Sequence, residues 1–326
     1  MKYGKSEAKE YARERMKGLW GASLTPFTAD LVLDESAFRA NLRHWFDDTK
    51  LGGLFVSGKQ GEFFSMSLEE RKRTFEIAVE EARGGVPTIL SCWDMNLDNT
   101  LELIRHSERI GADFVIVQNP ILYFASRSEA AVYEYFKHLA ESTRLGIALW
   151  NNPDHGYSMS PELCSRLADI PNIVAIKDSV PREEYVELSR IAGDRILVSS
   201  PSEVRWLDNI LELGWRLYLA SPEAFAMQSK VDRRLTEYTD LAIAGDAAAA
   251  RSVCDSLEPV REAIRSSRPL GKDQAHFKYW IELQGLIGGP VRPPLMQLTE
   301  EEKATVRTAF ASSGLQTAGP RPSVEA

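Results

Sequence analysis

A repeating pattern constrains this chain more than any single motif. Short, nearly continuous apolar runs alternate with longer segments whose apolar residues recur at helical spacing. The runs fall at residues 18–25, 54–56, 87–91, 114–117, 146–150, 173–178, 196–199 and 216–220. Helical segments lie between them, among them one carrying Phe38, Leu42, Trp45 and Phe46, and others over residues 97–110, 129–141, 160–167 and 183–192. Ser67 with Glu70 forms a capping box, Ser160 is a further cap, and Gly111 and Gly214 are stops. Strands that are apolar throughout must be buried on both faces, which requires a parallel sheet with helices packed against it. About eight such units in roughly 200 residues is the size and period of a closed barrel. The expected fold is therefore α/β, a (β/α)8 TIM barrel with a C-terminal helical extension. An open doubly wound sheet would call for a G-x-G-x-x-G turn after an early strand, and the chain has none.

The expected organisation is a charged N-terminal helix over residues 1–17, the barrel over 18–222, a helical region over 223–314 and a disordered Pro/Ser/Gly-rich tail over 315–326. Within the helical region the spacing predicts helices over 225–244, 247–266 and 274–286, then an extended turn at 288–294 and a last helix from Thr299.

Composition narrows the function classes. A net charge of −8 disfavours nucleic acid or an anionic membrane as partner, and no apolar run is long enough to span a bilayer. The first seventeen residues lack the apolar core of a secretory signal. Cys92, Cys164 and Cys254 are widely spaced, form no C-x-x-C pair and fit a reducing cytoplasm. The five histidines show no metal-ligand spacing. Residues 53–59 match the first part of a P-loop, but Gln60 stands where a Ser or Thr would hold magnesium, and residues 53–57 read as strand, so nucleotide binding is not expected.

Chemistry is expected at the C-terminal strand ends, where barrels place it. The second strand ends in Gly58, Lys59, Gln60, Gly61 and Glu62, the fifth in Trp150, Asn151, Asn152, Pro153, Asp154 and His155, and the sixth in Lys177, Asp178 and Ser179. A desolvated lysine can attack a carbonyl to form a Schiff base; alternatively its stem packs on the strand end while the ammonium reaches water. A glycine-rich backbone that binds a carboxylate, facing an amine that binds a ketone, suits a 2-oxo acid.

In these residues the chain resembles the dihydrodipicolinate synthase and N-acetylneuraminate lyase family, the pyruvate-type class I aldolases. The resemblance runs from Gly18 to about Phe310. It rests on Leu24, Thr25, Pro26 and Phe27, on Gly58, Gly61 and Glu62, and on Asn151 with Pro153. It continues through Ile176, Lys177, Asp178 and Ser179 to the segment Val291, Arg292, Pro293, Pro294 and Leu295. It implies a lyase in which Lys177 forms a Schiff base with pyruvate or a related 2-oxo acid, an aldehyde as second substrate, no cofactor, and a homotetramer.

The chain departs from the family pattern at Lys59 and Gln60, where threonines are usual, and at Trp150, where a tyrosine shuttles protons. An indole N–H only donates; either Tyr123 or Tyr157 supplies a phenol instead, or both are packing residues. His155 stands where dihydrodipicolinate synthases carry an arginine for the second substrate's carboxylate, which disfavours the strict lysine-pathway reaction. The candidate set is Lys177 and Tyr123 as catalytic residues, with Gly58, Lys59, Gln60, Trp150, Asn151 and His155 binding substrate. Lys59 either points into the mouth, where it binds the substrate carboxylate or depresses the pKa of Lys177, or turns to solvent. Aromatic residues near strand ends, Trp20, Trp93, Phe63, Phe64, Trp150 and Tyr123, fit an apolar second substrate, as in the hydratase-aldolases of aromatic catabolism. A non-catalytic 2-oxo acid sensor is the alternative from another class.

Overall fold

The computed structural model describes residues 2–121 and 128–317. Eight parallel strands form a nearly closed barrel: β1 (Gly18–Ala22), β2 (Gly53–Val56), β3 (Thr88–Ser91), β4 (Phe114–Gln118), β5 (Gly146–Asn151), β6 (Ile173–Asp178), β7 (Leu197–Ser199) and β8 (Leu217–Ser221). The ladder order is β7-β6-β5-β4-β3-β2-β1-β8, the sequential order of a (β/α)8 barrel. At the seam between β7 and β8, the Ser199 hydroxyl donates to the Leu217 carbonyl and accepts from the Leu219 amide, each at 2.8 Å.

The described residues divide into two compact units. The first is Met1–Trp20, Gly52–Val56 and Arg83–Ala220. It carries nearly all of the strands together with α1 (Ala8–Arg15), α4 (Leu97–Arg109), α5 (Glu129–Glu141), α6 (Pro161–Leu167), α7 (Arg182–Ala192) and α8 (Trp206–Leu213). Strands β2 to β6 are buried at every residue, as their apolar runs require. Gly53 opens β2 directly over the Trp20 indole, where an added Cβ would come within 2.1 Å of the ring. Gly53 thus belongs to the barrel wall and not to a phosphate cradle. Trp20 is fully buried there, which makes it a core residue and removes it from the expected aromatic substrate lining.

The second unit is Gly21–Leu51, Ser57–Ala82 and Ser221–Ala326. It holds α2 (Glu35–Arg43), α3 (Leu68–Ala82), and the C-terminal helices α9 (Glu223–Ala226), α10 (Arg234–Ile243), α11 (Ala247–Asp255), α12 (Glu258–Ser267), α13 (Asp273–Leu283) and α14 (Glu300–Ser312). The box opening α3 is closed in both directions: the Ser67 amide donates to Glu70 at 2.9 Å and the Glu70 amide donates to Ser67 Oγ at 3.2 Å. Thr299 and Glu302 do the same for α14.

Two long helices expected from the sequence are each broken. Residues 225–244 split into α9 and α10 because the Ser229 hydroxyl accepts from the amides of Val231 and Asp232, closing a local turn that competes with the helix. Residues 247–266 split into α11 and α12, and Pro259 in the first turn of α12 is the signal that marks a new start. Residues 318–326, within the expected tail, lie outside the described residues.

Candidate active site

Strand β6 places Lys177 by its period of two. Lys177 lies in register with Trp150 on β5 and with Ser199 on β7. Its Nζ donates to the Ala220 carbonyl at 2.7 Å and sits 5.0 Å from the ring centres of both Phe55 and Trp150. The two rings meet edge to face at 5.5 Å. Lys177 is only 6 % exposed, so its ammonium does not reach out to bulk water. A carbonyl and two aromatic faces solvate the cation in place of water. They leave the amine lined by apolar walls, where a carbonyl compound can approach it.

Asp178, one residue on, points to the other side of the strand. It is buried, and burial pushes its carboxyl up to about 7, against the opposing hydrogen bond from Asn151. Asn151 Nδ2 donates to Asp178 Oδ1 at 2.9 Å and to the Met159 carbonyl at 3.1 Å, while Asn151 Oδ1 accepts from the Met159 amide at 2.9 Å. Both amide hydrogens of Asn151 are therefore used within the protein, and the side chain pins the segment from Asn152 to Met159 onto the strand ends. This bonding fits a loop clamp better than the substrate contact expected from the sequence. Within that segment Pro153–His155 forms a 3-10 turn capped by Asn152 and closed by left-handed Gly156.

The turn that follows β2 belongs to the second unit. Its ends, Ser57 and Glu62, have φ of 52° and 59°, left-handed conformations that cost a non-glycine residue about 1–3 kcal/mol each. The amides of Gly61 and Glu62 donate back to the carbonyls of Gly58 and Lys59. Gly61 is required by close approach: an added Cβ would meet Ser57 Cα at 3.0 Å and the Ser23 carbonyl at 3.1 Å. Thr25 donates to the Gly61 carbonyl at 2.9 Å. Gly58 is buried, Lys59 is exposed, and the Gln60 side-chain oxygen is buried without a hydrogen-bond partner among the described residues.

Glu62 is anchored from the far end of the sequence. It pairs with Lys278, the two side chains being 0 % and 1 % exposed, and it accepts from the Arg292 amide at 2.9 Å. The Arg292 guanidinium lies 4.0 Å over the Phe27 ring and forms a two-pronged pair with Glu70. The separate motifs around Phe27, Glu62 and Arg292 are therefore one packed cluster that fixes the turn.

Tyr123 lies outside the described residues, and so does the side chain of His155. Tyr157 is half-buried; burial raises its phenol pKa, as do the nearby Glu129 and Cys164. The sequence pattern missed two participants, Phe55 and Lys278. Phe55 was readable only as strand core, although its place one residue before the strand end was a usable signal. Asp178 and Glu62 stood in the motifs without a partner assigned to them, and Lys278, which pairs with Glu62, carried no signal beyond its polarity. Among the described residues, no group of three or more His, Cys, Asp or Glu side chains is placed to hold a metal, and no helix is long and apolar enough to cross a membrane.

Comparison with known proteins gives a consistent result. Residues 15–312 match the model of the dihydrodipicolinate synthetase family. The chain is 28% identical over 306 residues to a 4-hydroxy-tetrahydrodipicolinate synthase of Bradyrhizobium diazoefficiens, covering 93% of this chain and 99% of that one. It is 30% identical over 288 residues to the enzyme of the same description from Brucella abortus, covering 87% and 93%. Among solved structures it superimposes on YagE from E. coli K12, a prophage protein of the dihydrodipicolinic acid synthase family determined in complex with pyruvate. The TM-score is 0.82 at 26% identity, over 92% of this chain and 99% of that one.

Proposed function

The chain belongs to the dihydrodipicolinate synthetase family, whose members are aldolase-type lyases, and on that premise we propose that Lys177 forms a Schiff base with pyruvate or a related 2-oxo acid. The observation that carries this reading is the placement of Lys177 Nζ inside the barrel, 2.7 Å from the Ala220 carbonyl and between the rings of Phe55 and Trp150. Pyruvate bound to the solved relative YagE supports the choice of a 2-oxo acid.

In the proposed reaction the free amine of Lys177 adds to C2 of the 2-oxo acid, and loss of water leaves the imine. The protonated imine then acts as electron sink: loss of a proton from C3 gives the enamine, whose C3 attacks the aldehyde carbon, so that the iminium re-forms and the aldehyde oxygen takes up a proton to become a hydroxyl. In the reverse direction the bond between C3 and the former aldehyde carbon breaks, and C3 regains the proton. Hydrolysis of the imine returns the amine. The Ala220 carbonyl can orient Nζ but holds no proton, and the Trp150 indole only donates, so the proton carrier is another group. Tyr123 keeps that role in this proposal, and the Gly58, Lys59 and Gln60 segment keeps the role of carboxylate binding. The two aromatic walls beside Lys177 favour an apolar aldehyde, the substrate type of a hydratase-aldolase, over a charged one.

The proposal extends to a homotetramer, to be checked by sedimentation. It also extends to a reducing cytoplasm, in keeping with three free thiols at Cys92, Cys164 and Cys254. The central test is reductive trapping. The protein is incubated with pyruvate and borohydride, and the adduct is mapped by mass spectrometry. Labelling of Lys177 with turnover of an aldehyde is the expected result. Labelling without turnover of any aldehyde would favour a 2-oxo acid sensor, and no labelling with any 2-oxo acid would end the Schiff-base reading.

A further inference from the structure

The N-terminal helix α1 lies across the N-terminal ends of the barrel strands and is tied there by many short-range bonds. Lys9 donates to the Ala168 carbonyl before β6, Arg13 to the Asp194 carbonyl before β7, and Arg15 to the carbonyls of Gly84 and Gly85 before β3. Tyr3 and Tyr11 bond Asp113 before β4, and the Gly146 amide at the start of β5 donates to the Tyr3 hydroxyl. Ala8, Ala12 and Met16, four residues apart, form the buried stripe.

This plug does not fill the corner beside β7 and β8. A cavity of about 430 Å³ remains there, bounded by the end of α1, the start of β7, and the start of β8 after α8. That volume is in the range that takes a small organic ligand. The floor is apolar: Met16, Ile196, Val198, Trp215 and Leu217 are all buried. Trp215 is anchored by its indole N–H, which donates to Ser189 Oγ at 3.2 Å.

The rim is cationic. Arg13, Lys17 and Arg216 border the cavity, with Glu14 the single acidic residue among the described residues that line it. Lys17 and Arg216 are exposed, and among the described residues neither side chain has an ion-pair or hydrogen-bond partner. An unpaired lysine and arginine over an apolar floor recognise an anion that carries an apolar body. The position is remote from the proposed chemistry, which uses the C-terminal ends of the strands.

We propose that this corner is a second ligand site, for a small organic carboxylate with an apolar tail. The apolar body packs on Trp215 and Met16, and the carboxylate meets Lys17 and Arg216. The site is independent of Schiff-base formation.

Octanoate is the probe, titrated into the full chain by calorimetry, with acetate supplying charge without a tail and octan-1-ol a tail without charge. Saturable binding of octanoate is expected, with both controls at least about tenfold weaker. The double variant Lys17→Gln, Arg216→Gln changes only exposed side chains, and it is expected to weaken octanoate about tenfold, with a shallower salt dependence than the parent. Excess pyruvate is expected not to compete, and a Lys177→Met variant to bind octanoate as the parent does. Lack of saturable binding overturns the proposal, as does unchanged affinity in the double variant or displacement of octanoate by pyruvate.

Discussion

Lys177 on β6 and Trp150 on β5 face each other in register, with the ammonium 5.0 Å from the centre of the indole ring. The residue that would carry the imine thus rests against an aromatic face with no acid or base on it. This pairing separates two tasks that a tyrosine in the place of Trp150 would combine, walling the amine and moving its proton.

Replacing Trp150 tests that separation. Trp150→Tyr is expected to speed imine formation, measured by rapid quench into borohydride, whereas Trp150→Phe, which restores the ring without a hydroxyl, is expected not to. Equal rates in the two variants would mean that the proton moves through a group elsewhere.

Lys177→Met removes the nucleophile and the buried charge together. Trapping is expected to vanish and turnover to fall by several orders of magnitude. Stability is expected to hold or rise in calorimetry, because the desolvated ammonium is replaced by an apolar chain of similar length. A strongly destabilised variant would instead show that the ammonium is mainly structural.

Asp178 gives a pH signature. Burial raises its carboxyl from 3.8 to about 7, so the folded protein binds a proton in this window that the unfolded chain has lost. The contribution is present in full below pH 3.8 and is lost as pH rises through about 7. Asp178→Asn keeps an oxygen for Asn151 and cannot ionise. Urea unfolding is expected to show the variant more stable than the parent by a few kcal/mol at pH about 8, and little different at pH about 4. A difference that does not grow with pH would refute the protonated carboxyl.

The buried Glu62–Lys278 pair should respond as a unit. Glu62→Gln leaves Lys278 uncompensated and is expected to cost about 3–5 kcal/mol in urea unfolding. The double variant Glu62→Gln, Lys278→Met should recover most of that loss. Additive losses would show that the two charges act separately.

Asn151→Ala removes the clamp on Met159 and orphans buried backbone groups, with an expected cost of about 1–3 kcal/mol. Hydrogen exchange at the Met159 amide should rise well above that of its neighbours in the strands. Protection that survives the substitution would deny the clamp.

The barrel was legible in the chain because burial on both faces forces apolar runs, and those runs fell within three residues of the observed strand ends. The helix breaks around Ser229 and Leu257 were harder, since a serine turn competes with a helix by local hydrogen bonding that periodicity does not register. Likewise the stripe of Ala8, Ala12 and Met16 was present in the sequence, but its small residues gave α1 the look of a charged surface helix.

By itself, the sequence determined the order of strands and helices, the family motifs and the identity of Lys177 as the residue of interest, because each rests on local spacing along the chain. Tertiary structure alone decided what surrounds those residues. Phe55, Trp150, Lys177 and Ala220 come from four different strands, and Phe27, Glu62, Lys278 and Arg292 are spread over more than two hundred residues. Which side chain solvates a buried charge depends on through-space distances that close only when the chain folds, and no pattern along the sequence encodes them.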